Sequence, residues 1–194
     1  MGSDIFAISL FTVVVLSMVA ASSSSGTAST EFIRTSCAST TYPALCYTSL
    51  VNHASVIQKS PKLLARTALS VAATSAKTTS TAMLRLSRTR GLKPREIGAM
   101  KDCLEEMADS AEQIQKSLTE MRSFKESDDF RTMISDVQTW VSAALTSQDT
   151  CSEGFAGKEM DGNVKIAVTG NILKIVHLTS NALALINNYA SVHG

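Results

Sequence analysis

The chain has 194 residues, with 18 Lys and Arg against 17 Asp and Glu and a formal net charge of +1 at pH 7. Such a balance predicts neither nucleic-acid binding nor an acidic tail. Ala, Ser, Thr, Leu and Met dominate, Val and Ile almost never alternate strictly with polar residues, and Pro94 is the last of only three prolines, which together exclude a sheet-based fold and predict helices.

Residues Ile5 to Ala20 form sixteen positions without a charge, followed by Ala21 and the small polar run SSSSGTAST. An apolar run of this kind before small residues reads as a secretory leader, and it stops short of the length a spanning helix needs. No Lys or Arg precedes it, only Asp4, so an uncleaved anchor is the alternative. Ala21 and Ala28 both satisfy the small-residue rule for cleavage, and residues 1–28 are assigned to the leader. What remains suits one domain of about 165 residues, long enough to bury its own core. Its charge balance is 18 bases against 17 − 1 = 16 acids, because Asp4 is the only charge before Glu31.

Export places Cys37, Cys46, Cys103 and Cys151 in an oxidising compartment, where two disulfides with three possible pairings are expected. No N-x-[ST] acceptor is present, so N-linked glycan is not expected.

The segment from 29 to 61 carries Cys37 and Cys46, with Tyr42-Pro43 between them. Pro43 suits the first position of a short helix, where its missing donor costs nothing. This segment is read as a small helical hairpin arm closed by Cys37–Cys46.

Residues 62–194 are read as the bundle. The first long helix, about Lys62 to Arg88, places Leu64, Ala68, Val71, Ser75, Thr78, Ala82 and Leu86 on one face, and Arg90-Gly91 ends it. The second follows Pro94 and has Ile97, Met100, Leu104, Met107, Ala111, Ile114, Leu118 and Met121 stepping alternately by three and four. The third starts at Ser127-Asp128, read as its cap, and carries Phe130, Met133, Ile134, Val137, Trp140, Val141, Ala144 and Leu145. The fourth follows a loop with Gly154, Gly157 and Gly162 and carries Val164, Val168, Ile172, Ile175, Thr179, Ala182, Ile186 and Tyr189. The fold class is all-α, an up-down-up-down four-helix bundle preceded by the arm. In that topology Cys103, two turns into the second helix, and Cys151, at the end of the third, lie at one end of the bundle, within reach of a disulfide. That bond closes a loop of about 49 residues and contributes roughly 4 kcal/mol on the chain-entropy estimate. Crossed pairings require the arm to staple both helix ends.

Asp102, Glu105, Glu106, Asp109 and Glu112 form a second regularity on the second helix, a stripe about 120° wide and nearly opposite the apolar seam. Only Glu112 has a basic residue four positions on, Lys116. Neighbouring carboxylates repel, so the bare stripe carries a small stability cost; it reads either as a solvated face, part of whose charge favours the helix N-terminal turns, or as a docking surface for a basic partner. If Cys103 and Cys151 pair, Thr150 and Glu153 extend this surface from the third helix.

Catalytic patterns are absent. His53, His177 and His193 have no spacing that suggests a base or a metal site, disulfide cysteines are not nucleophiles, and there is no G-x-S-x-G elbow, phosphate loop or dinucleotide fingerprint. The basic cluster Arg85, Arg88, Arg90, Lys93 and Arg95 suits the C-terminal end of the first helix. The methionines and Trp140 read as core. No enzyme, cofactor or metal is expected.

The order of C-x-x-T-x-Y-P-x-L-C (Cys37, Thr40, Tyr42, Pro43, Leu45, Cys46), Asp102-Cys103, and the run from Trp140 to Cys151 with Gln148-Asp149-Thr150 before its cysteine resembles the plant invertase and pectin methylesterase inhibitor family, on the esterase-inhibitor side. The resemblance spans essentially the whole chain after the leader. It implies a bundle with a hairpin, pairing of the first cysteine with the second and the third with the fourth, and export to the apoplast and cell wall. It also implies stoichiometric 1:1 occlusion of the esterase's substrate cleft through acidic and hydroxyl groups, which by position are Glu105, Asp109, Glu112, Thr150 and Glu153. Glu stands at 112 and 153 where the family often has Asp, which keeps the charge and alters the reach. Invertase inhibition is the alternative target; that branch typically carries a Pro-Lys-Phe motif near its C-terminus, and no proline follows Pro94 here.

Overall fold

The computed structural model describes residues 26–193, and all regular structure among them is helical. The apolar run Ile5 to Ala20 and the cleavage point after Ala21 lie outside the described residues, whereas Ala28 falls inside the first helix. No helix among the described residues is long and apolar enough to cross a membrane.

Helix α1 (26–37) buries Ser29, Ile33 and Cys37, one face at four-residue steps. It turns into α2 (Pro43–Leu50), which has Pro43 in its first turn, and a 3-10 turn at Val51–His53 leads to the single turn α3 (Ala54–Ile57). The Cys37–Cys46 disulfide ties α1 to α2, with Cα atoms 5.5 Å apart. Arg34 reinforces the hairpin: its guanidinium lies 4.4 Å from the Tyr47 ring centre and donates to the phenol oxygen at 3.1 Å.

Four long helices follow: α4 (Pro61–Leu86), α5 (Pro94–Ser123), α6 (Phe130–Glu153) and α7 (Asn163–Ser191). Three of the four starts have a side-chain cap. Ser60 Oγ accepts from Leu63 N–H before Pro61, and the Glu96 carboxylate accepts from Lys93 N–H at 2.7 Å before α5. Asp129 caps α6 by accepting from Arg131 N–H and the Thr132 hydroxyl. The cap is therefore one residue beyond Ser127-Asp128; the Asp128 carboxylate instead closes the preceding turn by accepting from Lys125 N–H. Gly91, at φ +85°, reverses the chain after α4 in a conformation that side chains with a Cβ rarely adopt.

The four helices form a square in which α4 and α6 each pack against α5 and α7. Adjacent helices run antiparallel, as the pairings Cys103–Cys151, Gln138–Asn187 and Lys62–Phe124 require. The six methionines among the described residues, Met83, Met100, Met107, Met121, Met133 and Met160, are all buried. Their unbranched side chains fill the irregular gaps of a core made largely of small residues.

Two seams differ from the periodicity read in the sequence. In α4 the buried residues are Leu64, Ala65, Ala68, Leu69, Ala72, Ala76, Thr79 and Met83; Leu64 and Ala68 belong to the expected face, but beyond them the core face lies about one residue round from it, and Thr78 is exposed. The two rows share Leu64 and Ala68 and carry similar apolar area, so contacts with the neighbouring helices decide which one turns inward. In α5 the core face is rotated toward Cys103, Ser110 and Ser117, all buried, leaving Ile97 55% exposed and Leu104 and Ala111 half-buried. The bonds that Cys103 and Ser110 make to α6 draw this face inward. Trp140 is half-buried at the margin of the core.

The arm lies on α4 and α7. Asn181, buried on α7, accepts from Tyr42 N–H and donates to Tyr42 C=O, both at 3.0 Å, and the Tyr42 ring stacks on His177 with centroids 3.6 Å apart. A buried amide matched to the N–H and C=O of a single residue holds the hairpin at one register.

Candidate partner-binding surface

The disulfide Cys103–Cys151 joins α5 and α6 with Cα atoms 4.3 Å apart and sets their register. Opposite positions therefore sum to 254: Glu105 is level with Asp149, Thr150 with Leu104, and Glu153 with Lys101. At 1.5 Å per residue, Asp109 lies about 6 Å and Glu112 about 10 Å farther along α5 than Glu105. Glu105, Thr150 and Glu153 thus gather at the crosslinked end, and Glu112 stands apart toward the middle of the bundle.

Glu105, Asp109, Glu112, Thr150 and Glu153 are all exposed. Three of them have partners. Glu105 pairs with Lys101 at 3.9 Å, a neighbour on the N-terminal side that counting four residues forward misses. Glu112 pairs with Lys116 at 2.8 Å, and the hydrogen bond and charge of that lysine hold the Glu112 carboxyl below the usual range. The Thr150 hydroxyl donates to Thr146 C=O at 2.9 Å, which leaves its oxygen lone pairs facing outward as acceptors. Asp109 and Glu153 have no side-chain partner among the described residues.

Thr146, Asp149, Thr150 and Glu153 are all exposed and occupy one row of α6 by their spacing. Asp102, the first acid of the stripe read along α5, and Asp149, next to Thr150, are further exposed acids near the crosslink. Gln148, in the same segment, points the other way. It is fully buried and donates to Ser110 of α5 at 2.8 Å and to Thr179 of α7 at 3.0 Å. The segment thus has two jobs, with Gln148 and Cys151 fixing three helices together and Asp149, Thr150 and Glu153 facing solvent.

Electrostatically the face is a row of carboxylates on a rigid pair of helices, with Lys101 and Lys116 pairing at its two ends along α5. Such a surface attracts a basic or hydrogen-bond-donating partner, and its covalent clamp lowers the ordering cost of association. Among the described residues no group of three or more His, Cys, Asp or Glu is arranged to hold a metal ion.

Fold and face together define a class: helical bundles with a hairpin arm and a disulfide-locked acidic face. Residues 31–185 match the family described as plant invertase/pectin methylesterase inhibitor, and the chain belongs to that family. It is 46% identical over 178 residues to a 21 kDa protein of Daucus carota, covering 91% of this chain and 92% of that one. It is 49% identical over 163 residues to Pectinesterase inhibitor 11 of Arabidopsis thaliana, covering 82% and 81% respectively. A crystal structure of a mutant form of a pectin methylesterase inhibitor from Arabidopsis shares the fold, with a TM-score of 0.63 at 22% identity, over 78% of this chain and 92% of that one.

Proposed function

We propose that this protein inhibits pectin methylesterase by forming a 1:1 complex that covers the enzyme's substrate cleft, and so regulates pectin de-esterification in the cell wall. The observation that carries the reading is its near-full-length similarity to relatives named for pectinesterase inhibition. The α5–α6 face supports it. Glu105, Asp109 and Glu112 supply charge, Thr150 supplies a hydroxyl acceptor, and Glu153 extends the patch at the crosslinked end. Inhibition by occlusion needs only a rigid, complementary surface, and two helices joined by a covalent bond meet that need.

Action in the wall requires export, which the leader at the N-terminus provides. Of the two candidate cleavage points, the one after Ala21 leaves α1 whole, whereas the one after Ala28 removes its first turn and exposes the buried Ser29, which favours the earlier site.

Methanol release by a plant pectin methylesterase, titrated with purified protein, tests the reading. Activity is expected to fall to a floor at one equivalent, with sucrose hydrolysis by invertase unaffected. Undiminished methanol release at micromolar protein from acidic to neutral pH overturns it, and loss of invertase activity instead assigns the other target of the family.

A further inference from the structure

On the side of the square opposite the acidic face, the arm does not close fully on α4 and α7. A groove of about 820 Å³ remains, within the range typical of ligand sites. Its charge is one-sided. Arg66 of α4, Lys174 of α7 and Arg122 at the end of α5 reach it from three helices, and no carboxylate lines it. None of these three cations has an ion-pair or side-chain hydrogen-bond partner among the described residues. In a chain whose bases and acids nearly balance, three unpaired cations around one acid-free groove are a local excess of charge.

The floor is the hydroxyl row of α4. Thr67, Ser70, Thr74 and Thr78 face the groove over about 16 Å of helix. The hydroxyls of Thr67, Thr74 and Thr78 each donate to a carbonyl four residues back, at 2.7, 2.9 and 2.9 Å. With their protons committed, these oxygens meet a ligand as acceptors. The rim is aliphatic, from Leu45, Val56, Val71 and Leu178, and no Phe, Tyr or Trp ring lines the site.

These features select a ligand chemistry. The cations call for anionic groups, and the acceptor row calls for several hydroxyl or amide donors on the same molecule. Sulfate offers only acceptors and inorganic phosphate no more than one or two hydroxyl donors on a single centre, and a nucleic acid would find none of the large aromatic surface on which its bases stack. A linear acidic sugar chain has carboxylates, hydroxyl donors and aliphatic ring faces at regular intervals. We propose that this groove binds a carboxylate-bearing oligouronate, the product that ester hydrolysis leaves on pectin. The choice of a galacturonate chain among acidic sugars rests on the esterase reading above. Because the groove lies across the bundle from α5–α6, one molecule can hold the enzyme on one face and the de-esterified chain on the other.

Calorimetric titration of the secreted protein, without enzyme, tests this with de-esterified oligogalacturonate as the probe at low salt and neutral pH. The de-esterified chain is expected to bind, and its fully methyl-esterified counterpart to bind about tenfold more weakly or not at all. Arg66→Glu with Lys174→Glu abolishes binding, whereas Glu105→Lys with Asp109→Lys does not. Thr74→Trp, which fills the groove without altering charge, also abolishes it and serves if the charge reversal fails to fold. No binding of the de-esterified chain, equal binding of polyglutamate, or binding that survives both groove variants overturns the proposal. Methanol-release assays on the same variants report the other face: inhibition without chain binding removes only the groove's role, and chain binding without inhibition removes the esterase target.

Discussion

Gln148 of α6 and Ser110 of α5 are joined by a 2.8 Å hydrogen bond in the interior, and the same Gln148 nitrogen donates to Thr179 of α7 at 3.0 Å. Three helices meet on one amide, whose Oε1 is buried without a partner. Gln148→Ala removes both bonds and leaves a cavity, so it is expected to cost about 2–4 kcal/mol in urea unfolding. Gln148→Leu fills the space and removes the unpaired carbonyl; it should be less costly by at least about 1 kcal/mol. Equal losses would show that the bonds, and not the filled volume, dominate at this position.

Removing the α5–α6 crosslink by Cys103→Ser with Cys151→Ser frees a loop whose ends are 48 positions apart. The chain-entropy estimate puts the loss near 4 kcal/mol, model-dependent. The packed seam remains, so inhibition is expected to weaken and not vanish at temperatures where the variant is folded. Unfolding curves and inhibition titrations of the same preparation separate the two effects.

Within the acidic stripe, Asp109 has no ion-pair partner among the described residues, whereas Glu112 is engaged by Lys116. Asp109→Lys is therefore expected to weaken esterase inhibition more than Glu112→Lys, and Glu105→Lys with Asp109→Lys to weaken it about tenfold or more. All three positions are exposed, so thermal midpoints should barely move. Unchanged inhibition in the double variant would show that the stripe is only a solvated surface.

The carboxyls of Asp129 and Glu112 are both held below their ordinary values. For Asp129 the Thr132 hydroxyl is the leading cause, followed by backbone N–H groups of α6; for Glu112 it is the Lys116 hydrogen bond and then its charge. A depressed folded-state value stabilises above the unfolded value and is lost as pH falls through the folded one. The contribution should thus be complete above about pH 5 and fade below about pH 4. In melts across that range, the gap between the parent protein and Asp129→Ala should close on acidification. A gap that does not depend on pH would mean the cap acts without its charge.

Asn181 is matched to both the N–H and the C=O of Tyr42. Asn181→Leu should release the arm while the square of helices stays closed, which predicts faster amide exchange in 26–57 and unchanged protection in the cores of α5 and α6. Uniformly faster exchange would show that arm and bundle unfold as one unit.

The helical class, the number of long helices and the disulfide partners were legible in the sequence, because each depends on local pattern. The three-four steps in α5, the breakers at Pro61, Gly91 and Pro94, and the cysteines at one end of two antiparallel helices require no knowledge of the packed core. The acidic stripe was legible for the same reason, since spacing along one helix sets its face. Tertiary packing decided which of two similar faces of α4 turned inward, because the two rows carry similar apolar area and only the neighbouring helices distinguish them. It also rotated α5 toward Cys103 and Ser110 at the expense of Ile97, separated Gln148 from its exposed neighbours in one short segment, and brought Arg66, Arg122 and Lys174 to one groove. Those outcomes depend on contacts between residues tens of positions apart, and a periodicity confined to one helix holds no information about them.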